Sequence, residues 1–116
     1  MGYYKSVDAR LRKWGFELQD RCVYATPVTR HTAAIYIAAI LGPAFPIMFR
    51  RHMRMAGRGG KRRIVLNQDL IDKGKLTLGT VLHECAHARQ GQLYNRASHH
   101  GEAFTRSYAA ILRSVL

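Results

Sequence analysis

His83-Glu84-Cys85-Ala86-His87 is the feature that most restricts how this 116-residue chain can fold. On a helix, residues four apart stand one turn above each other on the same face. His83 and His87 there present two imidazole nitrogens to one point, with Glu84 about a third of a turn round. Leu78, Val81, Leu82, Cys85 and Ala88 supply an apolar packing face for the same helix. The spacing predicts a helix that Thr77 or Thr80 caps and that runs to about Gln90, with Gly91 at its end. Two buried, hydrogen-bonded histidines on a core helix share this spacing without any metal. Further histidines downstream favour a metal site.

Zinc suits such a pair, because it takes nitrogen ligands in tetrahedral geometry and, in catalytic sites, leaves one place for water. It brings the pKa of that water near neutrality, and Glu84 is placed to act as general base and then to protonate a leaving amine. A third ligand is needed. His99 and His100 follow the helix after the turn-prone GQLYNRAS, and Glu102 is a carboxylate alternative. His31 and His52 read as surface residues. Cys85 reads as a buried packing residue that points away from the site. Tyr94, His99 and Tyr108 are candidates to stabilise an oxyanion.

Around this helix the pattern is mixed. Val7, Leu11, Trp14 and Leu18 predict an amphipathic helix over about Tyr4 to Asp20. Ala33 to Leu41 reads as a helix capped by Thr29 or Thr32, with a strand as the alternative. Ala33 to Phe49 is an uncharged run between Arg30 and Arg50, but Gly42-Pro43 and Pro46 interrupt it, which favours a buried helix and a strand over a membrane span. Period-two alternation from Ile47 to Met55 predicts a strand, Ala56 to Gly60 a hairpin turn, and Lys61 to Leu66 the return strand. Asn67 to Gly74 reads as a polar connection, and Phe104, Tyr108, Ile111, Leu112 and Val115 as a closing helix. The expected fold is α+β in one domain over residues 1–116: a small antiparallel sheet or hairpin packed on the HExxH helix, with N- and C-terminal helices.

The charge is as uneven as the pattern. Nineteen Lys and Arg against seven Asp and Glu give a net +12. Seven of those bases, Arg50, Arg51, Arg54, Arg58, Lys61, Arg62 and Arg63, fall in one stretch without an acid. Guanidiniums bind phosphate oxygens bidentately, so the basic hairpin is a candidate nucleic-acid contact, with Tyr3, Tyr4 and Trp14 as candidates to stack bases, although core packing is the favoured role for Trp14. A charged, solvated edge that blocks strand-to-strand aggregation is the plainer reading. Two cysteines, Cys22 and Cys85, make no disulfide scaffold, and a reducing interior is expected.

Four stretches carry a resemblance. MRMAGRGG (Met53 to Gly60), RIVLN (Arg63 to Asn67), TVLHECAHA (Thr80 to Ala88) and HGEAF (His100 to Phe104) resemble, in order and spacing, the SprT-like zinc metalloproteases, which include the Spartan-type DNA–protein crosslink proteases. The resemblance implies zinc on His83, His87 and His100, Glu84 as catalytic acid/base, and peptide-bond hydrolysis. For the Spartan branch it implies proteolysis on DNA. The cysteine zinc ribbon of longer members has no counterpart after Cys85, so DNA contact falls to the catalytic domain. The expected function is a zinc-dependent endopeptidase acting on DNA-bound or DNA-crosslinked proteins, as a monomer in the cytoplasm, nucleoid or nucleus. The alternative is a nucleic-acid-binding module with a structural zinc.

Overall fold

The computed structural model describes residues 9–11, 13, 26–93 and 101–115. Of the helix expected over Tyr4 to Asp20, residues 9–11 and 13 are helical and Leu11 is buried; the remainder, with Trp14 and Tyr3-Tyr4, lies outside the described residues.

Thr29 opens the first labelled helix, α1 (Arg30–Leu41), through a reciprocal capping box with Thr32. The helix is apolar nearly all round and buries Ala33 and Ile37. Gly42 ends it at φ 102°, a left-handed conformation that favours glycine. Among the described residues no helix is long and apolar enough to cross a membrane.

Strand β1 (Ile47–Arg50) is shorter than the alternation predicts. Beyond it Arg51 turns to Asp69 and Asp72, at 3.0 and 2.7 Å, and the His52 N–H donates to Asp69 at 2.8 Å. These bonds hold His52 at φ 61°, which breaks the strand. The expected turn at Ala56 to Gly60 contains a strand of its own, β2 (Gly57–Gly59). The tight turn comes later, where the Gly60 N–H donates to the Arg63 carbonyl at 3.0 Å. Strand β3 (Ile64–Asn67) follows and is buried along its whole length. It lies in the centre of the sheet, parallel to β1 and antiparallel to β2. The sheet is thus mixed rather than purely antiparallel, and a strand paired on both sides and buried along its length reads as the continuous apolar run IVL.

The polar connection after β3 is a short helix, α2 (Gln68–Asp72), because Asn67 caps it by accepting the Leu70 N–H at 3.2 Å. The same side chain donates to the Met55 carbonyl at 3.0 Å, and the Asn67 N–H donates to the Ala56 carbonyl at 2.9 Å. Asn67 therefore fixes the segment leading into β2. The long helix α3 (Leu78–Leu93) starts after Thr77, which accepts the Thr80 N–H at 3.4 Å. It runs through Gly91 instead of ending there. A β-carbon at Gly91 would come within 3.0 Å of the Lys61 side chain, so this glycine serves close packing and not a cap. Helix α4 (Glu102–Val115) closes the core with Phe104, Ile111 and Leu112, all essentially inaccessible.

The sheet and α3 meet backbone to backbone. A β-carbon at Gly59 would lie 2.2 Å from the Glu84 carbonyl oxygen, whereas one at Gly60 would meet nothing closer than 3.6 Å. Gly59→Ala is therefore expected to cost about 1–3 kcal/mol by overpacking, and Gly60→Ala to be nearly neutral. Thermal denaturation of the two variants checks this, and equal melting temperatures would contradict the packing described.

Candidate metal centre

Helix α3 places His83 and His87 one turn apart, with their Nε2 atoms 3.1 Å from each other. Two nitrogen ligands of a tetrahedral zinc stand about 3.3 Å apart, so the imidazoles already converge as such an ion requires. Each of His83, Glu84 and His87 offers a ligand atom, and these atoms lie within 4.8 Å of one another. Among the described residues these three form the cluster able to hold a metal.

Helix α4 covers the imidazoles from one side. The Phe104 ring centroid is 4.9 Å from that of His83 and 4.6 Å from that of His87, and Tyr108 stands 6.2 Å from His83. Phe104 is buried, so it restricts the rings' rotation and makes one wall of the site apolar. Strand β2 covers Glu84 from another side. The Gly59 N–H hydrogen-bonds the Glu84 carboxylate, and a β-carbon at Gly57 would come within 3.0 Å of the Glu84 Cγ.

Glu84 is 7% exposed. Burial disfavours its charged form and pushes its pKa up from 4.5 to about 7, while the Gly59 N–H pulls the other way. Burial, assisted by the neighbouring Glu84 charge, pushes the Cys85 thiol up to about 12, consistent with an inert packing residue.

Of the three alternatives for a third ligand, Glu102 is turned outward, exposed and paired to Arg106 at 2.7 Å. His99 and His100 lie outside the described residues, as does Tyr94. His31 and His52 are exposed and stand apart from the histidine pair. The glycine strand and the Phe104 wall are parts of the site that residue types alone did not single out. The GRG triplet was the available signal for the first, and HGEAF for the second.

The seven basic residues separate into two sets. Arg50, Arg54, Arg58, Lys61, Arg62 and Arg63 line one open groove of about 540 Å³. Arg51 is spent on Asp69 and Asp72 instead.

The buried Glu84 carboxylate makes metal-free stability depend on pH. Its folded pKa, about 7, exceeds its ordinary 4.5, so the folded state holds the proton more tightly. The associated stability is complete below about pH 4.5 and is lost as pH rises through about 7. In chelator, Glu84→Gln should therefore melt higher than the parent chain at pH 8, by about 3 kcal/mol. The gap should close towards pH 4.5, and denaturation at both pH values measures it.

No curated protein and no solved structure matches the chain. The SprT-like family model does match, over residues 13–115. That span includes α1 to α4, the mixed sheet and both histidines of the pair, and the chain therefore belongs to the SprT-like family.

Proposed function

We propose that the chain is a zinc-dependent endopeptidase whose substrates are proteins held on nucleic acid. The observation that carries the catalytic half is the convergence of the two Nε2 atoms at 3.1 Å with the Glu84 carboxylate beside them. The donor set suits zinc, with His83 and His87 as two ligands and His100 as the third. His100 precedes Phe104 by four residues, and the Phe104 ring already lies against both imidazoles. Zinc, when bound, supplies a Lewis acid and lowers the pKa of water.

The chain's own groups do the rest. Glu84, shielded from solvent and raised towards neutrality, accepts a proton from the attacking water and returns it to the departing amine. The Gly59 N–H holds the carboxylate in place for both transfers. Phe104 keeps the back of the site dry, which strengthens each electrostatic contact within it. Tyr108, beside His83, is the described residue best placed to donate a hydrogen bond to a developing oxyanion. The nucleic-acid half of the proposal rests on the groove lined by six cationic side chains.

Glu84→Gln should retain stoichiometric zinc yet lose at least about a hundredfold in cleavage of a denatured protein substrate, the scale expected for a general base. His83→Ala and His87→Ala should lose the metal itself. Metal analysis alongside a cleavage assay tests both, and undiminished cleavage by Glu84→Gln would refute the mechanism. A chain that binds zinc, binds nucleic acid and cleaves no protein would fit a structural zinc instead.

A further inference from the structure

We propose that the basic groove holds single-stranded nucleic acid on the face of the sheet opposite the metal centre. The inference deepens the nucleic-acid half of the reading above and rests on it for its biological sense. Its geometry comes from the register of the sheet.

Gly57 pairs with Leu66, Arg58 with Val65, and Gly59 with Ile64. Side chains alternate faces along a strand. A β-carbon on Gly57 or Gly59 would run into Glu84, so those positions face α3, and Arg58 between them faces away. Met48 pairs with Val65 in turn, which sets Met48, Val65 and Arg58 in one row across the outer face. The groove lies on this side. Arg50 at the end of β1 and the connections on either side of β2 supply its remaining cationic walls, and no acidic residue lines it. Asn67 fastens one of those connections through the Met53 and Met55 carbonyls, at 3.4 and 3.0 Å. The groove is therefore a built concavity and not a set of independent surface side chains.

Two features choose the partner. Five of the six cations are arginines, whose planar forks match phosphate oxygens. Met53 and Met55 lie among them, and Met55 is 53% exposed. A duplex turns phosphates outward and would leave these apolar groups facing charge. Unstacked bases would cover them, because thioether sulfur packs well against aromatic rings. Arg51 is excluded from the contact by its pairing to Asp69 and Asp72. Nucleic acid on the outer face would lie across β2 from Glu84 and His87, which pack against its other side.

Charge-matched variants provide the test. Arg54→Gln with Arg58→Gln removes two charges from the groove. Arg51→Gln with Arg106→Gln removes two from ion pairs outside it. Anisotropy of a labelled oligothymidylate of about twenty nucleotides is measured across a salt series, with no cleavage readout, so the result is independent of peptidase activity. The groove pair should weaken binding about tenfold or more and reduce the salt slope by about 1.4, the value for two phosphates on a single strand. The control pair should leave both within about twofold of the parent chain, and a duplex of the same length should bind more weakly. Equal weakening by the two pairs, no binding at low salt, or duplex binding as tight as single strand would overturn the proposal. Preferential capture by phosphatidylserine vesicles would overturn it in favour of a membrane surface.

Discussion

The contact on which the rest of the molecule depends is the one between two backbones, that of β2 and that of α3. Helices normally hold strands away by the length of their side chains. Here the strand has none at Gly57 and Gly59, and the helix presents the Glu84 carbonyl and the His87 β-carbon to the gap. This closeness buries Glu84 and brings the Gly59 N–H to its carboxylate. The perturbed carboxylate is thus a consequence of packing. A group in water with the same neighbours would keep its ordinary acidity.

Other elements serve that contact. Strand β3 sets the level of β2 through antiparallel pairing, and Asn67 at its end ties the approach to β2 and the start of α2 to one side chain. Helix α4 works from a different side, where Phe104 packs against both imidazoles. Arg89 reaches from α3 to the Ile40 carbonyl at 2.7 Å and stabilises the negative end of α1, so even the peripheral helix is anchored to the helix of the histidine pair. His83 and His87 come from one helix, but their surroundings are set by a strand and a second helix.

Much of this was legible in the sequence, where side-chain periodicity and capping chemistry act locally. The α1 cap at Thr29, the HExxH helix and the apolar face of α4 follow from such local rules. The departures have more than one cause. Strand β1 ends early because Arg51 and His52 find carboxylates far along the chain, and α2 forms because Asn67 is capping rather than turning. A glycine-rich turn was expected at Ala56 to Gly60, whereas Gly57 and Gly59 are required for their missing side chains. Gly91 was misread for the same reason. Composition records that a residue is small, and only the tertiary contact decides which use is made of it. The charge surplus shows the same limit, since pairing to carboxylates distant in the chain withdrew Arg51 from a set that looked uniform.

Strand β2 is three residues long and separates two kinds of surface. Its first and last positions admit no side chain, and its middle position bears one turned outward. Tolerance to substitution should therefore alternate residue by residue across a span of about 10 Å. A lineage could exchange the outward residue, and with it the charge of the outer face, while the buried Glu84 carboxylate keeps its surroundings. The charge of one face and the packing of the other can in this way diverge independently, although they are separated by the thickness of a single strand.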